Sequence, residues 1–221
     1  MSTRTATDRT RARSAGRPSR TAAARRRRLL RRRLGFLGAV AVAGLAIALA
    51  IAPWADQAVQ EVTLPLRHED IIRQQASDKD LDPALIAGVI FAESHFRDQT
   101  SHAGAKGLMQ LMPETADYIA QKSGGTAFVQ GDLATPQVNI AYGSWYLRYL
   151  LDKYDGREAL ALAAYNAGQG NVDEWLAQVG ARGEQFRAAD HIPFPETRGY
   201  VKKVLSARED YRRTYPRELG L

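Results

Sequence analysis

The chain of 221 residues contains no cysteine. That absence excludes disulfide bonds, thiol nucleophiles and cysteine-ligated metal sites. The sequence also lacks a glycine-rich phosphate-binding loop and the G-x-S-x-G turn of serine hydrolases. His95 and His102 have no carboxylate or histidine partner at the spacing of a metal site. We therefore predict neither a metal ion nor a cofactor.

Positive charge is scarce outside the first 33 residues. Residues 1–33 hold 13 arginines and a single acid, Asp8, whereas the remaining 188 residues carry 18 basic against 23 acidic side chains. A nucleic-acid-binding domain carries its basic residues on the folded part of the chain, so nucleic acid is not a predicted partner. The basic tail has almost no large apolar side chains and is predicted to be disordered.

An uncharged apolar run follows the tail and covers residues 34–54. As a helix this run would be about 31 Å long, which matches the ~30 Å hydrocarbon thickness of a bilayer. The arginine clusters directly before it place the tail in the cytoplasm, so everything from Asp56 onward would lie outside the membrane. We predict a single-pass anchor. A cleaved signal is the alternative, because Ala50 and Ala52 resemble a cleavage site, although Pro53 is unfavourable just after it.

Beyond a short linker at residues 55–65, apolar side chains recur at helical spacing, and convincing strand alternation is lacking. Proline, glycine and aspartate divide this part of the chain into segments of helical length. We therefore predict an all-α domain over residues 66–216. The predicted helices cover residues 68–76, 82–96, 114–122, 138–154, 157–167, a short segment capped by Asn171, and 196–211.

One predicted helix ends in a carboxylate that helical spacing turns toward the core. Asp82 is suited to cap the start of this helix. Ile86, Val89, Ile90 and Glu93 then follow the spacing of a single buried face. A carboxylate at the end of an apolar face is costly to ionise, so its pKa rises. A raised pKa suits a general acid that works near neutral pH. The alternative is that Glu93 turns to solvent in the last turn.

Four short stretches combine polar or aromatic groups with small residues, which lets a ligand approach the backbone closely. They are Glu93-Ser94, Gly107-Leu-Met-Gln-Leu-Met112, Ala164-Tyr-Asn-Ala-Gly168 and Glu196-Thr-Arg-Gly-Tyr200. Each also has an alternative structural interpretation. Met109 would fill the core, Asn166 would end a helix, and Tyr165 and Tyr200 would be half-buried packing residues.

Taken together and in this order, the four stretches resemble the motifs of the soluble-type lytic transglycosylases, relatives of goose-type lysozyme. The likeness covers about residues 66–212 and includes the longer stretches Ser101-His-Ala-Gly-Ala-Lys-Gly-Leu-Met-Gln-Leu-Met-Pro113 and Pro195-Glu-Thr-Arg-Gly-Tyr-Val201. In that family a lysozyme-like helical domain cuts the β-1,4 bond between N-acetylmuramic acid and N-acetylglucosamine in peptidoglycan. The resemblance implies an enzyme of the bacterial cell wall whose substrate is the peptidoglycan glycan strand.

The resemblance further implies that Glu93 is the single general acid and base. It would protonate the leaving glycosidic oxygen and then help to remove the proton of the muramyl 6-hydroxyl, which closes a 1,6-anhydro ring. The substrate-binding residues that the resemblance implies are Ser94, Ser101, Met109, Gln110, Tyr165, Asn166, Glu196 and Tyr200. Two alternatives remain open: a muramidase that uses water on the same scaffold, and a non-catalytic module that binds cell-wall glycan.

Overall fold

A computed structural model describes residues 60–124 and 128–221, together with the helical residues 28, 29, 35–38, 44, 45, 47 and 50. The chain divides into one unit over Met1–Gln57 and a second over Ala58–Leu221. Most of the predicted basic tail and most of the predicted anchor lie outside the described residues. None of the helices that can be described is long and apolar enough to cross a membrane.

The described part of the second unit is helical. The seven predicted helices occur in the predicted order, and three short helical segments, Gln130–Ala134, Ala188–His191 and Pro216–Leu219, were not predicted. The helices are α1 Glu69–Lys79, α2 Pro83–Ser94, α3 Pro113–Ser123, a 3-10 helix Gln130–Ala134, α4 Pro136–Lys153, α5 Glu158–Ala167, α6 Gln169–Ala181, α7 Ala188–His191, α8 Pro195–Thr214 and α9 Pro216–Leu219. Extended pairing within residues 60–124 and 128–221 is limited to two isolated bridges, Thr100 with Lys106 and Lys106 with Leu111. The all-α prediction is therefore confirmed.

Helix α2 is the central helix of the unit. It begins as predicted, because the Asp82 side chain accepts a hydrogen bond from the backbone N–H of Ala84 at 2.9 Å. Every residue from Ala84 to Ile90 is buried, so the helix is enclosed on all sides and not only along the predicted face. A helix that is apolar all round belongs in the interior of a domain.

Helix α8 runs closely along α2. The approach depends on Gly88, since a Cβ atom placed there would lie only 3.0 Å from the backbone oxygen of Val204. Because the backbones meet at this point, the residues one turn before Val204 on α8 lie beside the carboxyl end of α2. Tyr200 and Lys203 are the side chains that this packing brings to Glu93.

Two boundaries differ from the sequence-based expectation. Leu64 and Pro65, predicted as linker, are already bound to the helical unit, because their carbonyl oxygens accept hydrogen bonds from Tyr215 and Tyr211. Helix α6 starts at Gln169, so Asn171 is not its cap. The Asn171 amide instead donates to the backbone oxygen of Ala167 at 2.7 Å. A cap-forming residue type was present, but the chain entered the helix two residues earlier.

Candidate active site

Glu93 lies in the last turn of α2, where the helix meets the surface of the core. Its side chain is half-buried, and burial raises the pKa of the carboxyl group from 4.5 to about 7. The Tyr200 hydroxyl and the positive charge of Lys203 act in the opposite direction and lower that pKa. Burial is the larger effect, because a carboxylate loses much of its hydration inside an apolar helix packing. Glu93 therefore exchanges its proton near neutral pH.

Two tyrosines from other helices lie close to the acid. Burial and the charge of Glu93 raise the pKa of both Tyr165 on α5 and Tyr200 on α8, so both hydroxyls stay protonated. Tyr165 donates to the backbone oxygen of Met109 at 3.0 Å. The buried Tyr200 hydroxyl lowers the pKa of Glu93 but makes no hydrogen bond of ordinary geometry within the part of the chain that the structure describes.

A folded loop between α2 and α3 is fastened by Asn139 from α4. The Asn139 amide donates to the backbone oxygens of Lys106 and Leu133 at 2.9 and 3.0 Å and accepts from the Met109 N–H at 2.8 Å. The loop requires a glycine at position 107, because the φ of Gly107 is +75° and a Cβ atom there would lie 2.2 Å from the side-chain nitrogen of Asn139. Sequence reasoning missed Asn139, because nothing distinguishes it from other polar residues on a predicted helix.

Ser94 and Met109 face the interior of the fold, against the expectation that they bind substrate. Ser94 is 1% exposed, and its hydroxyl donates to the backbone oxygens of Leu108 at 2.7 Å and Ile90 at 3.2 Å. Met109 is 0% exposed and its sulfur lies against Gly143. Both side chains hold the loop onto helices α2 and α4. The backbone oxygen of Met109 accepts the hydrogen bond from the Tyr165 hydroxyl.

Gln110 and Ser101 remain half-buried within the same loop. Gln110 has a positive φ of 47°, and its amide donates to the backbone oxygens of Gln99 at 2.9 Å and Gly107 at 2.7 Å. The Ser101 hydroxyl accepts a hydrogen bond from the N–H of Ala105 at 3.0 Å. These contacts fix the loop conformation and leave both side chains at its partly open surface.

Asn166 and Glu196 are exposed, at the end of α5 and the start of α8. The two segments are linked directly, because the hydroxyl of buried Thr197 donates to Asn166 at 2.8 Å. The structure thus brings the third and fourth predicted motifs into contact. Thr197 was not singled out from the sequence, although it lies within the fourth motif.

Lys203 is a second residue that sequence reasoning missed. Its ammonium group donates to the backbone oxygen of Ala92 at 2.9 Å and lies 5.5 Å above the ring of Phe91. The spacing carried a usable signal, because Lys203 follows Tyr200 by three residues and so shares its helix face. The structure therefore adds a cation to the predicted site.

The acid has no carboxylate partner among the described residues that influence its pKa. Asp98 and Glu114, the nearest acids in sequence after Glu93, are both exposed. No group of three or more histidine, aspartate or glutamate side chains that could hold a metal ion occurs in residues 60–124 and 128–221. Acid–base chemistry by one carboxyl group is what this arrangement supports.

The fold and site together define an all-α domain with a half-buried carboxyl group, Glu93, whose pKa is raised to about 7. The chain belongs to the Transglycosylase SLT domain family, whose profile matches residues 70–187. This match confirms the family resemblance noted in the sequence, and it ends before the motif that begins at Glu196.

Curated relatives share about a third of their residues with this chain where the two align. The soluble lytic murein transglycosylase of Escherichia coli K12 is 34% identical over 154 residues, which is 69% of this chain and 24% of that protein. The membrane-bound lytic murein transglycosylase C of Actinobacillus pleuropneumoniae serotype 5b is 30% identical over 167 residues, covering 64% of this chain and 44% of that protein. The chain thus spans about a quarter of the length of the first relative.

Solved structures give the same result for the fold. An inactive mutant of the lytic transglycosylase Slt from Pseudomonas aeruginosa superposes with a TM-score of 0.63 at 34% identity, covering 71% of this chain and 26% of that one. The complex of a 70-kDa soluble lytic transglycosylase with bulgecin A has a TM-score of 0.65 at 32% identity, covering 75% of this chain and 27% of that one.

Proposed function

We propose that this protein is a peptidoglycan lytic transglycosylase that cuts the bond between N-acetylmuramic acid and N-acetylglucosamine without consuming water. The observation that carries the proposal is the carboxyl group of Glu93, whose pKa is raised by burial to about 7. Tyr165 and Tyr200 both interact with this group. Membership of the Transglycosylase SLT domain family and the names of the similar proteins support it.

The first half of the reaction uses Glu93 in its protonated form. Its proton passes to the glycosidic oxygen as the bond from that oxygen to C1 of the muramyl residue breaks, so the leaving sugar departs with a free 4-hydroxyl. The cationic sugar that develops is stabilised by the N-acetyl group of the substrate. A pKa near the working pH favours this step, because the acid is largely protonated before reaction and still a good donor.

The second half uses the carboxylate that remains. The muramyl 6-oxygen attacks C1 and closes the 1,6-anhydro ring while its proton passes to Glu93, which restores the starting enzyme. Tyr200 and Lys203 favour this charged form of Glu93. Retaining and inverting glycosidases generally require a second carboxylate, except where the substrate assists. The absence of a carboxylate from the groups that shift the pKa of Glu93, within the described residues, favours the substrate-assisted route.

The proposal includes the predicted topology. Residues 34–54 anchor the protein in the bacterial cell membrane, residues 1–33 stay in the cytoplasm, and the domain over residues 66–216 works on the cell wall outside. The similarity to a protein named membrane-bound lytic murein transglycosylase C supports association with a membrane, and the uncharged run over residues 34–54 supports the position of the anchor. Fractionation of cells that produce the full chain, compared with a chain lacking residues 34–54, tests the anchor. Equal release of both chains from the membrane contradicts it.

Mass spectrometry of muropeptides released from purified peptidoglycan tests the activity, with the full chain compared with Glu93→Gln. We expect products lighter by one water than hydrolysis products, and a loss of turnover in the variant with glycan binding retained. Hydrated reducing ends would instead make the protein a muramidase. Glycan binding without products from either protein would make it a binding module.

A further inference from the structure

One backbone carbonyl oxygen at the carboxyl end of α2 accepts a hydrogen bond from a side chain that is distant in sequence. The last carbonyls of a helix have no partner within the helix. Here Phe91 and Ser94 are served by nearby backbone, since their oxygens accept from the N–H groups of His95 at 3.2 Å and Arg97 at 3.1 Å. The oxygen of Ala92, directly before the acid, accepts instead from the ammonium group of Lys203 at 2.9 Å, 111 residues along the chain.

The Lys203 side chain is held in place by more than this hydrogen bond. Its ammonium group lies 5.5 Å above the Phe91 ring, an arrangement that attracts a cation to the face of an aromatic ring. Its backbone adjoins Val204, whose backbone oxygen would lie 3.0 Å from a Cβ atom at Gly88 of α2. A cation at the carboxyl end of a helix also interacts favourably with the helix dipole. The side chain is therefore fixed at both ends.

We propose that Lys203 is a positioning residue of this site, which fastens the turn carrying Glu93 to helix α8 and holds a positive charge beside the acid throughout the reaction. The inference rests on the proposed function, because it assigns Lys203 a role in both halves of that reaction. The hydrogen bond fixes the acid for proton donation, and the charge favours the carboxylate that must then accept the proton of the 6-hydroxyl.

Lys203 is the cation among the described groups that shift the pKa of Glu93. The others that interact with the acid are the hydroxyls of Tyr200 on α8 and Tyr165 on α5. His95, at the end of α2, has its pKa lowered by burial and then by the charges of Lys203 and Arg97. Removing the charge of Lys203 therefore leaves Glu93 protonated to higher pH.

Four variants of the full-length chain test the charge of Lys203, with and without a hydrogen-bond donor at the end of the side chain. Lys203→Met removes both, Lys203→Gln keeps an amide donor without charge, and Lys203→Arg keeps the charge. Lys202→Met is the matched control, because Lys202 is the exposed neighbour on the same helix. The readouts are the alkaline limb of the pH profile of kcat/KM for glycan cleavage and the NMR titration of the Glu93 carboxyl carbon.

We expect Lys203→Met and Lys203→Gln to move both readouts to higher pH by about half a unit, which is about threefold in rate on the alkaline side. Lys203→Arg and Lys202→Met should titrate as the wild type does. An unmoved titration in folded Lys203→Gln, or an equal movement in Lys202→Met, overturns the inference. If Lys203→Met does not fold, the comparison of Lys203→Gln with Lys203→Arg in the same two readouts still tests the inference. The NMR titration does not depend on products, so hydrated products would contradict the proposed reaction and leave the test of Lys203 intact.

Discussion

The partial burial of Glu93 predicts that Glu93→Gln stabilises the fold by an amount that depends on pH. Burial raises the pKa of this carboxyl from 4.5 to about 7. Between those two pH values the folded chain retains a proton that the unfolded chain has released. The free energy of unfolding of the wild type therefore falls as the pH rises through this window and levels off above it. Glutamine does not titrate, so the variant escapes this loss.

The size of the effect follows from the two pKa values. The step from 4.5 to about 7 corresponds to about 3 kcal/mol, at 1.36 kcal/mol for each pH unit. Because the side chain is only half-buried, screening by solvent reduces this to roughly 2 kcal/mol. For a unit of this size, roughly 2 kcal/mol raises the melting temperature by about 4–8 °C. Below pH 4.5 the two proteins should approach each other in stability.

Urea unfolding of the full-length wild type and Glu93→Gln, repeated from acidic to mildly alkaline pH, measures the difference. Asp98→Asn removes an exposed loop carboxylate and controls for the loss of a charge as such. A stability difference that stays constant with pH would show that the fold does not raise the pKa of Glu93. A variant less stable than the wild type at alkaline pH would show that the carboxylate is well solvated or well paired.

Two further substitutions test the loop between α2 and α3, which contacts Asn139 and Tyr165. Asn139→Ala removes the partner of the Met109 N–H and of the Leu133 oxygen, whereas the Lys106 oxygen keeps its hydrogen bond from the Leu111 N–H. We therefore expect the free energy of unfolding in urea to fall by about 3 kcal/mol. A fall below about 1 kcal/mol would mean that the loop is held by other contacts. Tyr165→Phe removes the hydroxyl that donates to the Met109 oxygen. We expect kcat for glycan cleavage to fall about tenfold, equivalent to ~1.4 kcal/mol in the activation barrier, while KM changes little. An unchanged kcat would contradict this role of Tyr165.

The sequence predicted those parts of the fold that depend on local signals. Asp82 begins α2 as expected, because its side chain caps the helix through atoms two residues away. Asn171 offered the same signal but lies inside α6, since residues 169 and 170 already continue the chain as a helix. A cap residue shows where a helix can start, and the surrounding packing decides whether it starts there.

The site was predictable where the resemblance named its residues and not where distant contacts define it. Helical spacing predicted the raised pKa of Glu93, and the structure agrees, whereas its catalytic role stays a prediction. The roles of Ser94 and Met109 were not, because sequence does not tell whether a polar or flexible side chain faces ligand or interior. Asn139 and Lys203 act through hydrogen bonds to residues 30 and 111 positions away, so no local pattern identifies their partners.

The contact between α2 and α8 connects packing to acid strength, and Gly88→Ala tests that connection. A Cβ atom at Gly88 would lie 3.0 Å from the Val204 oxygen and 3.2 Å from the Arg208 nitrogen, both backbone atoms, so the helices must separate. When the helices separate, water reaches Glu93 and lowers the pKa of its carboxyl group. The same movement takes Lys203 away from Glu93, and the loss of this positive charge raises that pKa. Because burial is the larger effect, the pKa should fall below about 7.

The alkaline limb of the pH profile of kcat/KM should then move to lower pH, opposite to the change expected for Lys203→Met. Overpacking should also lower the free energy of unfolding by about 1–3 kcal/mol. The pH profile of cleavage and urea unfolding of the same protein measure the two effects. A loss of stability with the limb unmoved would mean that the distance between α2 and α8 does not control the acid. A limb at higher pH would mean that the charge of Lys203, and not desolvation, dominates the pKa of Glu93.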